Sequence, residues 1–266
     1  MYDRILVLPV HGRRAESAVD YAFEIATDHD ASVFFPERIA TGDYRLRRAN
    51  PERIPLLTND YATRGSKFGQ GPIHQSIAAD CADSSNVDLA VLGIRRRWLL
   101  REYVIKGSVG RILASATAPT LTVQSDIDVS EAYPYDSILV LLNGDDDVTT
   151  RIERGAEIAI RHDAELHLLS VVNRGVLGAS AWSNEIVGRL EADARESADE
   201  AAKVAAAAGA TGIVTAVGRG AITAQIQSYS SAENIDLVVI GTSSLDRHTT
   251  RIVRSAPTPV LNVTSE

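Results

Sequence analysis

Short apolar runs at residues 4–9, 87–93 and 119–123 lack the in-out alternation of a half-exposed strand. Continuous apolar runs of that length predict parallel strands covered by helices on both faces. Between such runs lie amphipathic stretches. Ala18, Tyr21, Ala22 and Ile25 fall at helical spacing, and so do Ile152, Ala156, Ala159 and Ile160. Further on, the pattern predicts a long helix over about 183–208, a strand over 211–217, a helix over 221–233, a strand over 236–240, a short helix and a final strand. Strand and helix in regular alternation imply an open, mostly parallel α/β sheet with right-handed crossovers. The segment from Pro36 to Gly69 is the exception, since it carries Pro51 and Pro55 and little periodicity. There a helix is expected to be shortened or replaced by a loop.

The chain also repeats itself. Glu24-Ile25-Ala26-Thr27-Asp28-His29-Asp30-Ala31 agrees with Glu157-Ile158-Ala159-Ile160-Arg161-His162-Asp163-Ala164 at six of eight positions. The same register pairs Asp3-Arg4-Ile5-Leu6-Val7 with Asp136-Ser137-Ile138-Leu139-Val140. A slightly shifted one pairs Val87-Asp88-Leu89-Ala90-Val91-Leu92-Gly93 with Ile235-Asp236-Leu237-Val238-Val239-Ile240-Gly241. Ala118-Pro119-Thr120-Leu121-Thr122-Val123 answers Thr258-Pro259-Val260-Leu261-Asn262-Val263 in the same order. Preserved order over four segments indicates a duplicated domain. The expected domains are 1–125 and 135–266, joined by a linker over 124–134 that contains Asp126, Asp128, Glu131 and Pro134.

Composition narrows the functional classes. An apolar share of 45% with 23% charged residues is that of an ordinary globular protein, which excludes a disordered or fibrous chain. No apolar stretch approaches the roughly 18 residues that span a bilayer, and the start runs through Asp3 and Arg4 into a strand, so no membrane insertion and a cytoplasmic location are expected. The net charge of −8 opposes non-specific attraction to nucleic acid or anionic lipid. Cys81 is the single cysteine, which excludes an internal disulfide and a multi-cysteine zinc site, and its helical setting reads as a small buried residue. The six histidines form no His-Glu-x-x-His pattern, and no local carboxylate cluster suits a metal. His29 and His162 recur at one repeat position, away from strand carboxyl ends, and read as structural. No Gly-x-Ser-x-Gly elbow supports a hydrolase triad.

Taken in order, Ile5-Leu6-Val7 followed by a polar residue and Gly12, a helix, Asp88-Leu89-Ala90-Val91-Leu92-Gly93, the step Gly107-Ser108-Val109 into a helix, and Ala118-Pro119-Thr120-Leu121-Thr122-Val123 resemble the universal stress protein family. The resemblance covers nearly the whole chain in two copies. It implies two tandem open parallel-sheet α/β sandwich domains, related to the adenine nucleotide alpha hydrolase-like fold, each with five strands. It also implies ATP or another adenine nucleotide, with accompanying Mg, held at strand carboxyl ends through a Gly-x2-Gly-x9-Gly-Ser/Thr signature and an Asp closing the first strand. Such ends are where open α/β sheets bind ligands in general.

The first repeat keeps part of that signature. Gly93 stands for its first glycine, and Gly107-Ser108-Val109 for its last step, where N–H groups at a helix start receive phosphate. Arg96 replaces the second glycine, ten residues separate it from Gly107, and His11 replaces the Asp. The second repeat keeps Gly241 but has Ser244 for the second glycine, Arg247-His248 in place of Gly107-Ser108, and Asn143 at the Asp position. Charge separates the repeats further. Arg13, Arg14, Arg95, Arg96, Arg97, Arg101 and Lys106 would draw an anion to the first, whereas Asp145, Asp146 and Asp147 would repel phosphate from the second. The solvated-face reading of the arginine loop and the helix-capping reading of the aspartates remain open beside these.

Gly218-Arg219-Gly220 superficially resembles a dinucleotide loop, but Thr223 replaces a third glycine, and Gly71 fills the same place in repeat one, so a tight strand-to-helix turn is the reading favoured. The candidate nucleotide-binding residues are therefore His11, Gly12, Gly71, Gly93, Arg95, Arg96, Gly107, Ser108 and Val109, with no catalytic or metal-ligating residue. The resemblance implies a regulatory binding module in the stress response, not an enzyme. Slow nucleotide hydrolysis would have His11 as its sole candidate base. A ligand-free interaction module regulating a transporter or signalling partner is the alternative. In the family, domains associate through their last strands, which implies an intrachain pseudo-dimer through Thr120–Val123 and Val260–Val263 and allows a homodimer.

Overall fold

The computed structural model describes residues 2–9, 16–38, 44–49, 87–94, 113, 116–143, 148–173, 184–241 and 247–264. Two compact units divide the chain, Met1–Tyr133 and Pro134–Ser265. The first contains β1 (Arg4–Pro9), α1 (Glu16–His29), β2 (Ser32–Arg38), β3 (Tyr44–Arg48), β4 (Leu89–Ile94), β5 (Thr120–Gln124) and the short α2 (Val129–Ala132). Its strands lie in the order β3-β2-β1-β4-β5. All neighbours are parallel except β2 and β3.

The second unit contains β6 (Ser137–Leu141), α3 (Val148–His162), β7 (Glu165–Val172), α4 (Asn184–Ala207), β8 (Ile213–Arg219), α5 (Ile222–Ala232), β9 (Leu237–Gly241), α6 (Arg247–Ser255) and β10 (Val260–Val263). Here the order is β10-β9-β6-β7-β8, parallel throughout. The mostly parallel α/β architecture is as the alternating pattern implied, because strands such as Ile138–Leu141 are buried on both faces.

The repeat extends to backbone detail. Asp30 and Asp163 both adopt φ 54°, the left-handed turn that ends α1 and α3. Past them, the Ala31 N–H donates to Ala26 O at 2.8 Å and the Ala164 N–H to Ala159 O at 2.9 Å. At the amino ends of the strands, Asp88 Oδ2 accepts from the N–H groups of Asp3 and Arg4, and Asp236 Oδ2 accepts from those of Asp136 and Ser137. His29 packs on Tyr2 and His162 on Tyr135, with ring centroids 4.8 and 4.9 Å apart. His29 Nδ1 accepts from the Tyr2 N–H, which makes it a strand-start contact at the amino end of the sheet.

The units differ at one edge. Where low periodicity predicted a shortened helix or loop after Pro36, residues 44–48 form an antiparallel strand on β2, with Phe34 opposite Arg48 and Arg38 opposite Tyr44. Proline chemistry accounts for the turn away from β1. Ser32 N–H donates to Asp3 O, so alternate residues Ser32, Phe34 and Pro36 of β2 face β1. Pro36 has no N–H to give the next rung, and the β1–β2 register stops at Leu6 with Phe34. In the second unit Leu169 holds the corresponding place and pairs with Leu141. A hairpin thus replaces the helical crossover that joins β7 to β8.

The linker segment is also structured. Asp128 caps α2, accepting from the Ser130 N–H at 3.1 Å. Tyr21 Oη donates to Ala132 O at 2.9 Å, and Tyr133 Oη to Asp28 at 3.1 Å, so the segment packs on α1. In the second unit α3 lies close on the sheet at Gly155, where a Cβ would collide with Val140 Cγ2.

Candidate ligand site at the strand carboxyl ends

In both units the strand order reverses between two central neighbours, β1 and β4 in the first and β6 and β9 in the second. Open α/β sheets bind ligands in the crevice outside the strand carboxyl ends at this switch point. In the first unit the switch is marked by Gly93, buried in β4 between Pro9 of β1 and Val123 of β5. With no side chain, Gly93 leaves the backbone open to close approach. Of the nine residues singled out by sequence, Gly93 is the one described. His11, Gly12, Gly71, Arg95, Arg96, Gly107, Ser108 and Val109 lie outside the described residues, as do Cys81 and the aspartates 145–147.

In the second unit side chains tie down the end of β6. Asn143, just past β6, donates from Nδ2 to Val171 O at 2.8 Å and accepts at Oδ1 from the Val171 N–H at 2.7 Å. Its side chain therefore acts as a further rung between β6 and β7. Beneath it, Arg151 of α3 is only 1% exposed. Its Nη1 donates to Leu141 O at 2.6 Å and to Asn143 O at 3.0 Å. A guanidinium is always charged, so holding it in a core demands such acceptors. Sequence reading missed Arg151. The available signal was a basic residue beside Ile152 in the first turn of an amphipathic helix, where surface exposure was the simpler reading.

Gly218-Arg219-Gly220 closes β8 as a turn. Gly220 has φ 116°, a conformation suited to glycine, and its N–H donates to Val172 O at 3.0 Å. Arg219 forms a two-pronged pair with Glu191 of α4, Nε to Oε1 at 2.6 Å and Nη2 to Oε2 at 2.7 Å. Arg195 adds a weaker contact to the same carboxylate at 3.8 Å. This fork directs Arg219 toward the helix and pins the turn. Gly241 ends β9 opposite Val263. Among the described residues no group of three His, Cys, Asp or Glu side chains is arranged to hold a metal ion, and no helix is long and apolar enough to cross a membrane.

The model of the family described as "Universal stress protein family" matches residues 134–264. The second unit belongs to the universal stress protein family. A universal stress protein of Archaeoglobus fulgidus has a similar structure at 13% identity and a TM-score of 0.61, over 98% of this chain and 96% of that one. A functionally unknown protein of Pseudomonas aeruginosa is similar at 16% identity and a TM-score of 0.59, over 98% of this chain and 92% of that one. At such identities the likeness is one of fold. No curated protein matches the chain.

Proposed function

We propose that this universal stress protein is a regulatory module that binds a small anion, ATP or another adenine nucleotide, at the strand carboxyl ends of the first unit. The observation that carries the reading is the asymmetry between the two switch points. Asn143 and Arg151 spend their polar groups on the backbone of the second unit, whereas the first unit has the apolar Ala18 at the repeat position of Arg151; Gly93 and Gly241 keep a glycine in both. The residues that would hold the ligand are His11, Gly12, Gly71, Gly93, Arg95, Arg96, Gly107, Ser108 and Val109, with the arginines supplying charge and Gly107-Ser108 the N–H groups for phosphate. The output is a change of contacts rather than a product, and the protein works in the cytoplasm.

Mass spectrometry of ligand released from the purified protein, followed by titration of ATP, ADP, AMP and cyclic AMP against wild type and Gly107→Asp, tests this. A nucleotide bound by wild type and lost in the variant supports it. Absence of any bound or titratable nucleotide sinks it and leaves the protein-interaction reading, which the tied-down strand end of the second unit favours equally.

A further inference from the structure

The outer strand of the second sheet, β8, is bonded on one side to β7 and ends the strand order on the other. The Leu166 N–H donates to Gly212 O and the Gly220 N–H to Val172 O, so the even-numbered residues of this strand turn their backbone groups to β7. Those of Ile213, Thr215, Val217 and Arg219 therefore point to the open side, where no backbone partner meets them among the described residues. Edges of this kind are usually guarded by charge, proline or a bulge. The first unit's β3 carries three arginines in five residues. In contrast, β8 reads Ile-Val-Thr-Ala-Val-Gly-Arg, and its one charge, Arg219, is already held by Glu191. We propose that β8 and α4 form a self-complementary edge at which two copies of this chain join, β8 against β8 in antiparallel register about Ala216.

That register satisfies the whole open row. Thr215 comes opposite Val217 of the second copy and Ile213 opposite Arg219, each as a hydrogen-bonded pair, so every outward N–H and carbonyl gains a partner. Between them Ala216 meets its own copy and Gly218 meets Val214. These are the close pairs, with Cα atoms about 4.5 Å apart, where small residues fit best. The helices agree with the strands. Right-handed crossovers put α3 and α4 on one face, and the sense of the α-helix then turns the exposed row Ala192, Arg195, Asp199 and Ala206 toward the open edge, with half-buried Leu190 and Val204 toward α3. Because α4 packs on both β7 and β8, joining the sheets brings the two copies of α4 to about 10 Å between axes, a helix-packing distance. Glu191 marks the level of Arg219. From there Ala216 lies about 10 Å down the strand, which is six or seven residues down the helix. The two-fold axis therefore passes near Ser197, midway between Arg195 and Asp199, and sets each arginine level with Asp199 of the other copy.

Sedimentation velocity of the full chain over micromolar concentrations should show a reversible monomer–dimer equilibrium. Thr215→Pro removes an N–H that β7 does not use, and should weaken the dimer about tenfold or more. Asp199→Arg sets arginine against arginine and should weaken it severalfold, and adding Arg195→Asp to that variant should restore the wild-type affinity. Circular dichroism checks that each variant folds. In a Cys81→Ser background, Ala216→Cys should oxidise to a disulfide-linked dimer, since residue 216 meets its own copy, whereas Thr215→Cys should not. A chain that stays monomeric overturns the proposal and leaves the edge to an extended segment of another protein. A dimer that Thr215→Pro leaves intact, a charge swap that recovers nothing, or cross-linking through residue 215 instead of 216 would equally overturn it.

Discussion

Asn143 and Val171 exchange two hydrogen bonds across the end of the second sheet, one in each direction. An aspartate, the residue that the family resemblance implies at this position, cannot reproduce the pair, because a carboxylate has no proton to give the Val171 carbonyl. Asn143→Asp should lose about 1–3 kcal/mol of stability at neutral pH, the cost of a buried acceptor left facing another. The loss should shrink in acid, where the protonated carboxyl donates again. Urea unfolding at several pH values measures both effects. A fully stable variant would show that the rung is dispensable.

Arg151 provides the second test. Arg151→Ala removes the donor to Leu141 and Asn143 and leaves a void, and a loss of about 3 kcal/mol is expected. Arg151→Met keeps most of the volume and removes the buried charge, so it should lose less than half as much. Urea midpoints, with unchanged slopes, decide the ranking.

Two glycines of the second unit should respond to alanine for different reasons. Gly155→Ala drives a methyl into Val140, and overpacking of this kind costs about 1–3 kcal/mol. Gly220→Ala meets no neighbour but holds a left-handed backbone, with a penalty of about 1–2 kcal/mol. Gly218→Ala displaces only the flexible end of Gln225, so it should be the mildest of the three in thermal unfolding.

Asp236 makes a pH prediction. Burial raises its carboxyl above the ordinary value, against the lowering effect of the Asp136 and Ser137 N–H groups, and the Asp136 charge adds to the rise. A raised folded value means that the native state binds the proton more tightly than the unfolded chain. Its contribution to stability therefore grows as pH falls through the folded value and is complete below the unfolded one. Asp236→Asn, which keeps an acceptor for both N–H groups, should flatten this part of the stability profile in mild acid. An unchanged profile would assign the effect to other groups.

The repeat and its alternation of elements were legible because they rest on burial. Parallel strands covered on both faces must be apolar throughout, and residues such as Ile5 and Ile138 carry that signature in each copy. Tyr44–Arg48 was not legible as a strand. An edge strand with three arginines in five residues has little apolar content, and its pairing with β2 is made by backbone groups that leave no periodic pattern. Arg151 escaped for a related reason: its partners are backbone carbonyls, which local spacing does not reveal. Gly93 was legible from the repeat and lies beside Pro9 of β1.

The hairpin at β2 and β3 also separates the two copies in time. Arg38 meets Tyr44 after a short excursion of the chain, whereas Val172 meets Arg219 only after the whole of α4 has been traversed. Low contact order speeds folding, because little loop entropy is lost before a contact forms. The outer edge of the first copy is therefore a local event, and the same edge of its duplicate must wait for a helix to be made and docked. From one ancestral plan the chain has acquired two different kinetic schedules.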